Sequence, residues 1–570
     1  MPTLIAPELE RNRGTGHLKR SLTLLNALPD AFLYVPPSGR SRFEGFGAQV
    51  DRSRIVSELG ARRFETIVVD RFSVSREEIE TFAALGMTVG IDLGGPGREC
   101  ADYLIDTLPR LDKSAPNVYT PASGSSEARP TAERGRRLLV TFGGEDPARL
   151  TEKSIAALRR LDVDLEEVCV VRPRLRPLEE DLSPANVIDP VESLQPLLLD
   201  SGIVLTAFGL TAFEAVRAGA RVITVAVTPY HAKLAKKTGF YSAGLRRVSR
   251  RKLAHGLANP EILSASLGDD VRRSSEGSLP SLLEQLAQPP RRGCPAHGKF
   301  GRSVFRNVNK SYLVCPLCGM IYLERFTADT QHYDSSYFMD EYEAQYGRTY
   351  LEDVPSIYRM GQERLRLIRR LRPPTRRLLD VGCAYGPFLS AANDCGYEVT
   401  GLDVAPSAVG YVRETLGFPA VTGSILDPSI RRELEAPYGV VSLWYVVEHF
   451  WELDTLLSAL SDLVLPGGVL ALATPHGQGV SARRNTESFF AASPRDHFTI
   501  WTRNSAKRLL REYGFELEIA RVTGHHPERY PAVISGAMPS GLARLHSKLF
   551  GWGDTFELYA RRMTSKDGAQ

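Results

Sequence analysis

The sequence predicts an α/β protein made of several parallel-sheet lobes, and three observations predict it. Short apolar, β-branched runs alternate with amphipathic stretches along most of the chain. Glycine-bearing turns follow several of these runs and lead directly into helical patterns. The chain has 570 residues, enough for about three or four domains of ordinary size. Strands apolar on both faces, alternating with helices, are what a parallel sheet covered on both sides requires.

Composition narrows the class. A hydrophobic fraction of 43% and a charged fraction of 24% are ordinary for a globular chain. A net charge of +4 is small for this length and calls for no nucleic-acid or anionic-membrane partner. The basic pairs Arg246-Arg247 and Arg250-Arg251-Lys252 read as solvated helix faces. No apolar run approaches the roughly 20 residues of a membrane span. Met1–Glu8 lacks the basic flank and apolar core of a signal peptide and reads as a first strand. Seven cysteines, three of them clustered, do not form a disulfide framework, which predicts a cytoplasmic protein.

Two breaks organise the chain. Pro121–Pro130 is rich in small and turn-forming residues, and Gln288-Pro-Pro-Arg-Arg-Gly293 directly precedes the cysteines. Domains are expected at 1–125, 136–288, 294–325, 330–375 and 376–563. In the first, Thr66–Asp70 and Met87–Asp92 are strands around a helix at 76–85. In the second, Arg137–Thr141, Val168–Val171 and Ile203–Thr206 are strands, with a helix at 150–161.

Gly14-Thr-Gly16-His17 follows the first strand and opens a helix, which lets backbone amides approach an anion, with His17 as a candidate base. Gly143-Gly144-Glu-Asp146-Pro is a second such turn, and Gly209-Leu-Thr211-Ala-Phe-Glu214 a third. Thr211 is expected to cap its helix. Glu214 suits either the helix dipole or the two hydroxyls of a ribose.

Together with Arg20, Val69-Asp70, Ile91-Asp92 and Ala101–Asp106, these blocks resemble the two-lobed, GT-B-type glycosyltransferase fold over about residues 1–250. The nearer likeness is to the UDP-sugar hydrolase of pseudaminic acid synthesis, with the peptidoglycan N-acetylglucosaminyltransferase as a cousin. The resemblance implies two Rossmann-like lobes and a nucleotide-sugar (UDP-sugar) or glycan substrate. It implies His17 as catalytic base, with Gly14, Gly16, Gly143, Gly144, Thr211 and Glu214 on the substrate. Phe208-Gly209 departs from the family's two glycines, and Tyr230-His231 from its amide residue. Active nucleotide-sugar chemistry and a binding-only scaffold both stay open.

Cys294-Pro-Ala-His297 and Cys315-Pro-Leu-Cys318 form two ligand pairs separated by residues 298–314. Four such ligands close a tetrahedral Zn²⁺ site, so the expected role of a zinc ribbon here is structural and local. Nucleic-acid binding, another use of such ribbons, lacks a basic and aromatic surface.

Asp380-Val-Gly382-Cys-Ala-Tyr-Gly386 is a strand end, a glycine turn and a helix start, and the next strand ends on Asp403. An acid there is placed to bind ribose hydroxyls. Gly423–Asp427, Tyr438–His449 and Leu465–Ala473 complete an ordered pattern. This set resembles the class I S-adenosylmethionine-dependent methyltransferases with an amino-terminal zinc ribbon, over about residues 290–563. Tyr333–Phe338, Glu341–Tyr350, Asp496-His-Phe-Thr499 and Gly553–Tyr559 carry the likeness further. By it Asp380, Gly382, Gly386, Asp403 and Asp427 contact S-adenosylmethionine. Tyr445, His449 and His497 stand on the acceptor side, the two histidines as candidate catalytic groups. The joined halves point to the synthesis or decoration of a surface or nucleotide-linked glycan. The alternatives are a methyltransferase whose front half only binds a glycan or nucleotide sugar, and one acting on a non-sugar substrate.

Overall fold

The computed structural model describes residues 2–10, 15–47, 49–111, 115–120, 137–263, 278–286, 293–326, 347 and 349–564. Gly14, the linker at 121–130 and the motifs at 333–346 lie outside them. The chain divides into two compact units, Met1–Gln288 with Arg306–Asn309 and Pro289–Phe305 with Lys310–Gln570. Among the described residues no helix is long and apolar enough to cross a membrane.

The first unit holds two parallel sheets. One contains β1 (Thr3–Pro7), β2 (Ala31–Tyr34), β3 (Ile55–Val56), β4 (Thr66–Asp70), β5 (Met87–Ile91), β6 (Tyr103–Asp106) and β7 (Val118–Tyr119). Their order across the sheet is β3-β2-β1-β4-β5-β6-β7. The other contains β8 (Leu138–Thr141), β9 (Val168–Val171), β10 (Asn186–Ile188), β11 (Ile203–Ala207), β12 (Arg221–Ala226) and β13 (Tyr241–Leu245). Their order is β10-β9-β8-β11-β12-β13. β4, β5 and β8 are buried at every position. Each buried Val, Ile or Leu in them contributes about 1.5–3 kcal/mol over an exposed one. That continuous burial is why these strands carry unbroken apolar runs.

The second unit has a small sheet and a large one. β14 (Arg302–Arg306), β15 (Lys310–Val314) and β16 (Ile321–Arg325) lie in sequence next to the cysteines, and β22 (Thr499–Ile500) joins them from far along the chain. The large sheet takes β17 (Arg377–Val381), β18 (Glu398–Asp403), β19 (Ala420–Thr422), β20 (Tyr438–Trp444), β21 (Val464–Pro475), β23 (Phe515–Thr523) and β24 (Thr555–Arg562). Its order is β19-β18-β17-β20-β21-β24-β23, with β24 antiparallel to both neighbours. The helix Tyr350–Arg370 begins in a reciprocal cap between Thr349 and Glu352. Gly361 lets it lie against the helix Pro387–Asp394, because a Cβ there would sit 3.1 Å from the Phe388 ring and 3.2 Å from the Ala391 methyl.

Candidate functional site

In an open parallel sheet the loops at the strand carboxyl ends diverge where the strand order reverses, and ligands bind in the crevice left there. All three parallel sheets have such a point, between β1 and β4, between β8 and β11, and between β17 and β20. His17, Gly143, Gly144, Thr211, Glu214, Asp380, Gly382 and Gly386 follow or end the strands at these points, whereas Asp427 follows the edge strand β19.

In the first unit, His17 lies in the first turn of the helix Gly16–Ala27, and its Nδ1 is 2.6 Å from Asp70 Oδ1 at the end of β4. Asp70 is fully buried and also accepts from Arg20 Nε at 2.8 Å and Nη2 at 2.5 Å. Arg20 Nη1 continues to Asp92 Oδ2 at 2.5 Å and Thr107 Oγ1 at 2.8 Å. Burial alone would raise the Asp70 carboxyl, but Arg20 and His17 overcome it and hold it at about 2. An ionised Asp70 keeps the proton on His17 Nδ1 and leaves Nε2 as the basic atom.

Three turns converge beside it. A Cβ on Gly144 would lie 2.5 Å from Thr15 Oγ1, and one on Gly16 would lie 3.5 Å from Leu210 Cδ1. Arg42 and Glu145 form an ion pair across the same contact. Gly143 takes a left-handed φ of 80°, which favours glycine. Asp146 accepts from the Leu150 and Thr151 amides and the Thr151 hydroxyl, so it anchors the start of the helix Leu150–Arg159. Thr211 does not cap as the sequence suggests. The cap position is Gly209, with no side-chain hydrogen bond, and Thr211 lies half-buried within the first turn. Glu214 is raised by burial, against the pull of Lys19 and Arg217.

The cysteine-bearing loops bring four donors together. Cys294 Sγ lies 3.6 Å from His297 Nδ1 and 3.9 Å from Cys318 Sγ, and Cys315 Sγ lies 3.9 Å from His297 Nδ1. Zn–S bonds of about 2.3 Å and Zn–N bonds of about 2.0 Å in a tetrahedron place ligands about 3.5–3.8 Å apart, so the donor set fits zinc. His297 Nε2 is 2.8 Å from Glu512 Oε2, the carboxylate partner that ligating histidines usually have. Left-handed Gly298 and Gly319 close the two knuckles.

At the third reversal, Gly382, Ala384 and Gly386 have φ of 72°, 46° and 75°. Asp403, at the end of β18, is 5% exposed. Its Oδ2 accepts the Ala384 amide at 2.8 Å and its Oδ1 the Ala405 amide at 2.9 Å. It therefore organises the glycine turn, and each oxygen keeps a lone pair for a ribose hydroxyl. Asp380 is buried and accepts from the Ser442 hydroxyl at 2.7 Å. Burial pushes its carboxyl up to about 7, opposed by Ser442 and Arg364. Asp427 is exposed and caps the helix Pro428–Glu433 through Ser429.

Directly after β20 comes Tyr445, a non-glycine residue at φ 60°, a strained conformation of the kind concentrated at functional sites. The turn Val447–His449 follows. His449 Nδ1 lies 2.8 Å from Asp496 Oδ2, and the His449 and His497 rings meet edge-on at 4.8 Å. Burial lowers the His449 pKa, but Asp496 and Glu448 together raise it overall. Burial and the neighbouring His449 push His497 down to about 3. The Phe498 amide donates to the Glu448 carbonyl at 2.8 Å, which ties the two segments together.

Asp70, Asp92 and Asp496 stand in the sequence motifs with no role attached, and nothing in the motifs singles out Glu448 or Glu512. The available signal for the first two was an acid ending a buried strand or directly following one. Glu512 gives no local signal, since it meets His297 across 215 positions.

Residues 350–519 match the family model described as a methyltransferase domain. The matched stretch takes in β17 to β22 and the first part of β23, together with the glycine turn Gly382–Gly386. Among curated proteins, a probable S-adenosylmethionine-dependent methyltransferase of Mycolicibacterium smegmatis is 29% identical over 148 residues, 25% of this chain and 53% of its own. The ubiquinone biosynthesis O-methyltransferase of Leptothrix cholodnii is 30% identical over 120 residues, 20% of this chain and 48% of its own. The chain thus spans about half the length of the curated relatives it matches. A methyltransferase structure from Archaeoglobus fulgidus aligns at 17% identity and a TM-score of 0.29, over 39% of this chain and 98% of that one. Magnesium protoporphyrin IX methyltransferase from Synechocystis, with bound SAH, aligns at 16% and 0.28, over 40% and 96%.

Proposed function

We propose that the chain is an S-adenosylmethionine-dependent methyltransferase whose first unit is a GT-B-type, nucleotide-sugar-binding half. It works in the synthesis or modification of a surface or nucleotide-linked glycan. Bound S-adenosylmethionine supplies an electrophilic methyl group. Asp403 shapes the turn at Ala384 and would accept the ribose hydroxyls, with Asp380 and Asp427 as the further acids that would hold the cofactor. The acceptor, a hydroxyl or amine, lies against Tyr445, His449 and His497 and gives up its proton there. Cys294, His297, Cys315 and Cys318 hold a structural zinc ion.

The observation that supports the sugar reading is the meeting of three glycine turns beside His17, whose Nδ1 is engaged by Asp70. His17 Nε2 is then a base for sugar transfer or hydrolysis, and Glu214 clamps the nucleotide ribose. Calorimetry with UDP and UDP-sugars tests this. His17→Ala leaves UDP affinity nearly intact and abolishes turnover. Glu214→Ala weakens UDP by about 2–4 kcal/mol, the loss of two hydrogen bonds to a carboxylate. Wild-type protein without affinity for any nucleotide sugar removes the reading. A binding-only first unit is the second reading, favoured by Phe208. This ring stands where the family has a glycine, and it packs on Phe213, Phe240 and His231. Tight UDP-sugar binding without any turnover would select it.

A further inference from the structure

We propose that Glu448, His449 and His497 form a second, open metal site that binds a divalent first-row transition cation on the acceptor side of the methyltransferase domain. The proposal rests on the methyltransferase reading above for what the cation does, not for whether it binds. One donor atom from each of the three residues lies within 4.8 Å of the other two. Three atoms around one ion at about 2.1 Å are separated by at most about 4.2 Å, so small side-chain adjustments close the set.

Glu448 is the independent observation. It is 1% exposed, and neither carboxylate oxygen has a hydrogen-bond partner. The buried Thr474 hydroxyl faces it and eases its charge, but burial outweighs that help. A carboxylate stripped of water and left unpaired is costly, and a bound cation removes that cost. Asp496 Oδ2 sits 2.8 Å from His449 Nδ1 and holds the ring beside Glu448 and His497. A carboxylate behind an imidazole is the usual support of a ligating histidine.

Two imidazoles and one carboxylate suit zinc, cobalt, nickel, iron or manganese better than calcium or magnesium. Three protein ligands leave positions open, unlike the closed Cys294–Cys318 set. The ligand class that fills them is an acceptor oxygen, a hydroxyl or a vicinal diol, held and acidified by the ion, so that with the ion bound its proton passes to solvent and the two imidazoles stay ligands.

The full chain carrying one equivalent of zinc is titrated with Co²⁺ and read by visible absorption. A second equivalent with nitrogen and oxygen ligand-field bands and no thiolate charge-transfer band is expected. Glu448→Gln and His497→Ala each weaken it at least tenfold, and Asp496→Asn weakens it about 10–100-fold. Thermal unfolding confirms that each variant is folded, and His497, less deeply buried than Glu448, is the safer of the two ligand substitutions. No second equivalent, or one that both ligand variants leave unchanged, overturns the site. SAH binding measured on the same samples separates the two claims. SAH bound without cobalt overturns the metal site alone, whereas cobalt bound without SAH supports the site and overturns the methyltransferase reading.

Discussion

Asp70 accepts hydrogen bonds from His17, Arg20 and Ser21 at once, so its charge governs the whole cluster. Its folded pKa of about 2 lies below the roughly 3.9 of an unfolded chain. The stabilisation is therefore complete above about pH 4 and is lost as the pH falls towards 2, on the order of 2–3 kcal/mol. Asp70→Asn removes that titration. Hydrogen-exchange protection of β4 should differ between wild type and variant by a constant amount above pH 5, and the gap should narrow between pH 4 and 2. A gap flat over that range would mean that Asp70 is not the ionised anchor. Asp403 makes a parallel case. Its two amide bonds mean that Asp403→Ala loses more than a ligand contact. SAH affinity should fall by about 1.5–3 kcal/mol, and the turn should lose a further 1–3 kcal/mol of local stability from two unsatisfied buried amides. Calorimetry and exchange at Ala384 measure the two separately, and intact SAH binding would remove Asp403 from the cofactor site.

Strands and glycine turns were the legible elements. Thr66–Asp70 and Val168–Val171 have the bounds their apolar runs suggest, because such strands are buried on both faces and nothing else tolerates that composition. Side-chain roles were less legible. Asp146 and Asp427 follow strands, as ligand-binding acids do, yet each caps a helix, since the same carboxylate satisfies helix amides and ligand hydroxyls alike. Pairings such as His17 with Asp70 or His449 with Asp496 are set by tertiary packing and leave no local pattern. The small sheet shows how far an element's role can exceed its motif. The cysteine pattern suggests a local stabiliser, but β16 pairs with β22 through Ile321 with Ile500 and Tyr322 with Thr499. The Leu323 amide also donates to the Phe498 carbonyl at 2.9 Å, next to His497. Cys315→Ser should therefore disturb the acceptor side while sparing the cofactor turn. SAH affinity within about twofold of wild type, with methyl transfer reduced at least tenfold, is the expected pair of results. Equal loss of both would mean that the metal supports the whole domain.

At the scale of the molecule, two compact units share one chain, and their parallel sheets are recognisable from strand alternation alone. What alternation cannot disclose is that the small sheet is finished by residues 499 and 500. That feature has a consequence during synthesis. At about 5–20 residues per second, β22 leaves the ribosome roughly 10–35 s after β16. Throughout that interval β16, with Tyr322, Leu323 and Glu324 all buried in the finished protein, is an open sheet edge. Open apolar edges recruit other strands. A nascent chain stalled before Thr499 should therefore self-associate through β16 as a finished chain does not. The risk of this architecture lies in how long that edge waits for its partner.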